Sequence, residues 1–278
     1  MLNKTLILIA GLSWTLSSFG EETLKPLKNG IAPTSAEELG GDYDPRKEPL
    51  DTEILKEWEV DGTIIKVIRF RVGIFKGKKA MLAAVYGYPK DAKNLPGLVQ
   101  IHGAGQFATD KAVIANAKEG YTTVSISWAG RIDASQYRVD NAIKQLYWDG
   151  KTDDPKHLVT TDWGGVDAHH APCRYPTNNF VTNPPSASGT TVDPIKSARN
   201  SGWFLAAMAA RRAITFLEQQ PQVDKNKIGV YGHSMGGKLT VMTAGSDKRV
   251  KAAAPSCGGI SDLEYKTYAF KETCDENY

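Results

Sequence analysis

Cysteine and net charge are both scarce in this sequence. Its three cysteines, Cys173, Cys257 and Cys274, are too few for a disulfide framework, and one must stay unpaired within the chain. Cys173 and Cys274 lie in predicted loop or tail and form a candidate pair, whereas Cys257 ends a predicted buried strand as a small apolar residue. The 34 basic and 31 acidic residues are interspersed and leave a formal charge of +3. Without a basic stripe to bind a phosphate backbone, we expect no nucleic-acid partner.

Apolar runs of membrane-spanning length are also missing. Residues 1–20 hold a short positive region, an apolar run too short to span a bilayer comfortably, and small residues before Glu21. This pattern is typical of a secretory signal peptide, and the alternative is an uncleaved anchor. We therefore expect a secreted or periplasmic protein without stable membrane insertion after signal cleavage.

The pattern of apolar residues predicts one α/β domain over residues 54–278, after an N-terminal extension over residues 21–53. Three β runs, at residues 55–60, 64–72 and 80–88, open the domain, and Asp61 and Gly62 form a tight hairpin between the first two. These strands predict an antiparallel edge on a mostly parallel central sheet that helices flank.

A strand at 96–101, a helix at 110–118 and a strand at 121–128 follow and imply parallel pairing. A loop-rich insertion occupies about 129–195, and a long apolar helix spans 195–219, with Arg211, Arg212 and Glu218 marking where it emerges from the core. A further parallel strand is expected at 250–255.

The most informative motif is Gly232-His233-Ser234-Met235-Gly236, which lies between a short apolar run and a helix-compatible segment. A G-x-S-x-G motif in this setting predicts a sharp, strained strand-to-helix turn that projects the serine hydroxyl from the end of a sheet. Glycine is needed at 232 and 236 because a Cβ there would collide with the neighbouring strand or helix. Ser234 is therefore the candidate nucleophile.

The order of the motifs resembles the α/β-hydrolase superfamily over roughly residues 55–259: a strand followed by His102-Gly103-Ala104-Gly105, then the serine motif, then a strand ending in PSCGG. The IHGAGQ and GHSMGGK sequences, the PSCGG end, the expected export and the bulky insertion before the serine motif make the chain similar to secreted acetyl xylan esterases and dienelactone hydrolases. The resemblance implies that the backbone N–H groups of Met235 and Ala104, with Gly105 as the alternative to Ala104, stabilise the oxyanion of an acyl transfer. No cofactor is implied.

The remaining polar residues receive lesser roles. His102 is expected to brace its loop, His233 to be structural, and His169 and Trp163 to line a substrate cleft; adjacent His169 and His170 are not expected to bind a metal. Lys238 matches the sugar-binding lysine of glucuronoyl esterases, and its alternative is an ordinary helix-surface lysine.

No histidine follows His233, although the superfamily places its acid and its histidine after the nucleophile. We expect a chain truncated before two further strands, the alternative being a short natural protein that cannot run this chemistry in the usual way. The predicted activity is a serine esterase that removes acyl groups, acetyl above all, from polysaccharide or small-molecule esters, inactive as it stands without the histidine. The alternatives are a glucuronoyl esterase, a prolyl-oligopeptidase-type peptidase and a non-catalytic carbohydrate-binding protein.

Overall fold

A mixed sheet forms the centre of the computed structural model, which describes residues 40, 43–75, 78–103, 106–128, 131–139 and 202–258. Seven described strands pair in the order β1-β2-β3-β6-β4-β8-β9, and β5 pairs with β7 in a small second sheet. The described elements are β1 (Glu53–Val60), β2 (Thr63–Phe75), β3 (Lys78–Pro89), β4 (Leu95–Ile101), β5 (Ala108–Thr109), α1 (Asp110–Lys118), β6 (Thr122–Ile126), β7 (Ile132–Asp133), α2 (Gly202–Glu218), β8 (Val223–His233), α3 (Met235–Ser246) and β9 (Val250–Ser256).

The first three strands form the predicted antiparallel edge of the sheet. β1 pairs with β2 and β2 with β3 in antiparallel register. At the first turn Asp61 has a φ of 49° and Gly62 a φ of 69°. Positive φ at both central residues is the geometry of the tight hairpin turn that suits the right-handed twist of the strands. The predicted hairpin is confirmed.

The second half of the sheet is parallel. β4 lies between β6 and β8, and β9 pairs with β8, all in parallel register. Parallel strands end at the same edge of a sheet, so the residues that follow β4, β6, β8 and β9 are neighbours there. This edge holds His102, Trp128, Ser234 and Cys257.

Helices cover both faces of the sheet, as predicted. One apolar cluster joins α2 to the sheet through side chains such as Leu205, Ile214 and Ile101, and it includes Leu239 of α3. A second cluster lies on the opposite face of the sheet, where side chains of β2 and β3 pack with Val113 of α1. The expected α1 over residues 110–118 is confirmed, with Thr109 as its N-cap: its side chain accepts a hydrogen bond from the Lys111 N–H.

One prediction about α2 is wrong. Arg212 does not mark the emergence of the helix from the core, because its side chain is 1% exposed. Its guanidinium is satisfied where it lies: it donates to the carbonyl oxygens of Arg71 at 2.8 Å, Glu48 at 2.9 Å and Pro49 at 2.8 Å, and also to that of Pro45. Residues 43–50 therefore lie over the domain and are tied to α2.

The last described strand also differs from expectation. β9 was predicted to be buried, but residues 251–256 are exposed because β9 has a described neighbour, β8, on one side alone. Cys257 is accordingly exposed instead of packing as a small apolar residue. β7 was not predicted, since its two residues fall in the stretch assigned to loop. No helix in the described part of the chain is apolar over a length that would cross a membrane.

Candidate active site

The turn between β8 and α3 has the strained geometry that the serine motif predicts. Ser234 has φ 56° and ψ −118°, a conformation that glycine adopts readily and other residues rarely do. Its N–H donates to the Ser256 carbonyl oxygen at 2.7 Å, and its own carbonyl accepts from the Lys238 N–H at 3.0 Å. These bonds hold the turn on both sides, and the Ser234 residue remains partly exposed at the sheet edge.

Close backbone contacts explain the glycines of this turn. A Cβ on Gly232 would lie 2.5 Å from the carbonyl oxygen of Gly236, and one on Gly236 would meet the end of β4. Real Cβ atoms do not approach backbone atoms so closely, so the strand and the helix can meet only if both positions lack side chains. The expected reason for the two glycines is confirmed.

The backbone N–H of Met235 lies at the start of α3, directly after Ser234. The first N–H groups of a helix have no acceptor within the helix, and the helix dipole favours negative charge at this end. An oxyanion beside Ser234 would therefore meet a donor and a favourable field. Met235 itself is partly exposed, and its side chain packs at the margin of the larger apolar cluster.

The loop after β4 begins directly beside the elbow, the strand-to-helix turn of residues 232–236 that carries Ser234. Ile101 of β4 is in register with Gly232 of β8, and a Cβ on Gly103 would lie 2.9 Å from the His233 carbonyl oxygen. Gly103 is held by Gln106, whose Oε1 accepts from the Gly103 N–H at 2.8 Å. Ala104 and Gly105, the residues assigned to the second oxyanion donor, lie outside the described residues.

His102 is buried at this point. Its ring lies 5.2 Å from the Trp128 ring at 22° between planes, and its Nδ1 lies 2.8 Å from the Gly103 carbonyl oxygen. Because a carbonyl oxygen only accepts, Nδ1 carries the proton in this contact. A ring held this way in a 2% exposed residue braces the loop.

The other described histidine contacts the neighbouring strand. His233 Nδ1 lies 3.1 Å from the Ser256 Oγ of β9, and Ser256 Oγ lies 3.9 Å from Cys257 Sγ. Cys257 has a φ of 53°. A thiol at this position cannot orient an imidazolium as a carboxylate does.

Lys238, the fourth residue of α3, is buried, with 9% of its surface exposed. Its Nζ is 4.8 Å from the centroid of the Trp203 ring, within the range of a cation–π interaction. Trp203 in turn lies 6.0 Å from Trp128. Trp163, His169 and His170 lie outside the described residues, and the part of the chain that is described holds no cluster of three metal-ligating side chains.

Two tryptophans near the site, Trp128 and Trp203, were not singled out from the sequence. Trp128 closes the predicted strand at 121–128, and the parallel pairing of β6 with β4, in which Ile126 is level with Ile101, places it at the same sheet edge as His102. The signal that was available is this position: a large aromatic residue directly after a strand that ends at the same sheet edge as the serine motif.

Three solved structures are similar to this chain. Acetyl xylan esterase 1 from Thermoanaerobacterium sp. JW/SL YS485 is 17% identical and superimposes with a TM-score of 0.51 over 93% of this chain and 70% of its own. The acetyl xylan esterase from Paenibacillus sp. R4 is 18% identical, with a TM-score of 0.48, over 78% of this chain and 55% of its own. The glucuronoyl esterase from Solibacter usitatus is 15% identical, with a TM-score of 0.42, over 74% of this chain and 51% of its own.

The strand order and the first of these superpositions decide the fold. The chain has an α/β-hydrolase fold. The model of the dienelactone hydrolase family matches residues 184–273, which include the elbow of this hydrolase fold. No curated protein sequence matches the chain. The chain spans 55% of the length of the Paenibacillus enzyme, so it corresponds to about half of that hydrolase.

Proposed function

We propose that this protein is an exported serine esterase that cleaves carboxylic esters, with acetyl groups on polysaccharide as the substrate class. The observation that carries the proposal is the backbone of Ser234, whose φ of 56° in a strand-to-helix turn presents a hydroxyl at the sheet edge. A strained residue other than glycine, held by bonds on both sides, is characteristic of a functional site. The family match across the elbow and the esterase names of the structural neighbours support it.

The chemistry follows from the positions around Ser234. Its Oγ attacks the ester carbonyl carbon, and the hydroxyl proton passes to a base. The N–H of Met235 and a second N–H from the loop that begins at Gly103 stabilise the oxyanion of the tetrahedral intermediate. The intermediate expels the alcohol, which takes the proton from the base, and leaves an acyl-enzyme. Water then attacks the acyl-enzyme by the same steps in reverse, which releases the acid and restores Ser234.

The base comes from outside the described residues in this proposal. His102 is buried against Trp128, and His233 bonds Ser256. A base must reach the serine hydroxyl within hydrogen-bond distance. Turnover is therefore expected to depend on a residue that the structure does not describe.

Export is proposed from residues 1–20, whose sequence resembles a signal peptide. The test is N-terminal sequencing of the protein recovered outside the cytoplasm. A mature protein that begins near Glu21 supports the proposal, and one that still begins at Met1 contradicts it.

A fluorophosphonate probe tests the nucleophile. The native protein should be labelled at Ser234, and Ser234→Ala should lose the label. Ser246→Ala is the matched control, because Ser246 is an exposed serine of the same helix with its Oγ bonded to the Met242 carbonyl. If native protein and Ser234→Ala react alike, the esterase proposal is wrong, and binding to xylan without labelling would support the non-catalytic alternative.

Glucuronoyl esterase is the second candidate, favoured by the burial of Lys238 beside Trp203 close to the elbow. Activity on acetylated xylan and on a methyl glucuronate ester separates the two. In the glucuronoyl case Lys238→Met should raise KM for the glucuronate ester by about tenfold or more, because a hydrogen bond from a charged group to the sugar is lost. An unchanged KM would remove Lys238 from the site.

A further inference from the structure

The indole of Trp128 joins the end of β6 to the loop that begins after β4. Its Nε1–H donates to the His102 carbonyl oxygen at 2.8 Å. Trp128 is 1% exposed and His102 is 2% exposed, so this bond lies in the interior. The described ladder of β4 ends at Ile101. The indole therefore supplies a donor to a buried carbonyl just past the end of the sheet pairing.

That carbonyl also lies against the elbow. A Cβ on Gly236 would be 2.7 Å from the His102 oxygen, so the oxygen stands at the start of the nucleophile helix. A Cβ on the next residue, Gly103, would lie 2.9 Å from the His233 carbonyl oxygen. The His102–Gly103 peptide thus packs directly against the turn that carries Ser234. A shift of this peptide would move the loop relative to the serine.

Trp128 is itself fixed from three directions. The N–H of its neighbour Ser127 donates to Ala83 of β3 at 2.9 Å. Its ring stacks on His102 and lies 6.0 Å from Trp203 of α2, whose own ring lies under the Lys238 ammonium of α3. The indole that meets the His102 carbonyl is therefore packed between His102 and Trp203 at the end of β6.

We propose that Trp128 is a positioning residue for catalysis, which holds the His102–Gly103 peptide against the turn that carries Ser234 and thereby fixes the start of the loop assigned to the second oxyanion donor. Donors aimed at an oxyanion act through their placement, and removal or displacement of one reduces turnover more than substrate binding. The catalytic half of this inference rests on the proposed function; the structural half, that the indole N–H fixes the loop, does not.

The test compares Trp128→Phe with Tyr86→Phe, each as a single substitution in the otherwise native protein. Trp128→Phe keeps an aromatic ring but loses the N–H. Tyr86→Phe also removes one polar group from an interior side chain, the hydroxyl that donates to Gln222 at 3.2 Å. Gln222 precedes β8 and Ser234 follows it, so this control lies at the opposite end of the strand. Both variants lose a hydrogen bond, but only one of these bonds contacts the loop.

Two readouts keep the outcomes distinct. Amide hydrogen exchange of peptides covering 101–107 should become about tenfold faster in Trp128→Phe and stay unchanged in Tyr86→Phe. Turnover should fall by about 10- to 100-fold in Trp128→Phe at a KM within about twofold of native. Unchanged exchange in the loop overturns the inference whether or not the protein is an esterase. Altered exchange with a turnover loss no larger than in Tyr86→Phe overturns its catalytic half, whereas loss of the proposed function would appear as native protein without Ser234-dependent activity.

Discussion

A Cβ built on Gly236 would lie 2.1 Å from the carbonyl oxygen of Ile101. The start of α3 and the end of β4 are thus in backbone contact, and Gly236→Ala has no room. We expect this variant to lose about 3 kcal/mol or more of the free energy of unfolding, because the clash is with backbone that cannot move alone. Urea denaturation followed by circular dichroism measures the loss.

Gly245→Ala is the matched control for this prediction. Gly245 belongs to the same helix, and a Cβ there would have no atom within 4 Å. It should therefore gain about 0.5–1 kcal/mol from the lower conformational entropy of alanine in the unfolded chain. Equal changes in the two variants would show that the contact with Ile101 is not what excludes a side chain at 236.

Arg212→Met should loosen residues 43–50. The guanidinium donates to carbonyl oxygens of this segment and of Arg71, and the substitution leaves those oxygens without the donor. We expect a loss of about 3 kcal/mol in the free energy of unfolding and faster proteolysis within 43–50. Arg69→Met removes an arginine from an exposed pair with Glu53 and should lose less than about 1 kcal/mol. A loss of the same size in both variants would contradict the role of Arg212 in holding residues 43–50 against α2.

Acid should weaken the protein through Asp247. Burial alone would raise the pKa of this carboxyl group, but the hydrogen bond and charge of Arg249, with the charge of Arg211, hold its pKa below the ordinary value. A folded pKa below the unfolded one, about 3.9, contributes stability that is complete above about pH 5 and is lost as the pH falls through the folded pKa.

Asp247→Asn tests this acid dependence. The variant should lose about 3 kcal/mol at about pH 7, since the partly buried Arg211 and Arg249 lose a buried carboxylate and Arg249 keeps only Glu218 as a carboxylate partner in the described part of the chain. It should lose less further stability than native protein between about pH 5 and pH 2. Asp133→Asn, in an exposed pair with Lys111, should keep the native acid slope. Urea denaturation across this range measures both, and identical slopes for native protein and Asp247→Asn would remove Asp247 as the source.

Local signals in the sequence predicted much of the fold. The hairpin at Asp61 and Gly62, α1 over 110–118 and the strained turn at Ser234 each depend on a few adjacent residues, and all three are confirmed. The parallel pairing that follows from a strand-helix-strand unit is confirmed as well. These features were accessible because their physical causes lie within one stretch of chain.

The missed features depend on partners far along the chain. Arg212 was assigned to the surface because a charged residue usually lies there, and its acceptors are carbonyl oxygens 141 to 167 positions earlier. Any residue has a carbonyl, so no sequence pattern marks these acceptors. The same holds for the bond from Trp128 to the His102 carbonyl, and for the contact of the buried Lys238 with Trp203 of α2.

The backbone of Ser234 has a consequence for how this chain responds to selection. A residue other than glycine at φ 56° and ψ −118° is held there against its own preference, so glycine at this position would fold more favourably. A screen that selects for thermal resistance alone would therefore favour replacement of Ser234 by glycine, with loss of the hydroxyl. Persistence of serine at 234 in such a screen would require that activity be selected at the same time.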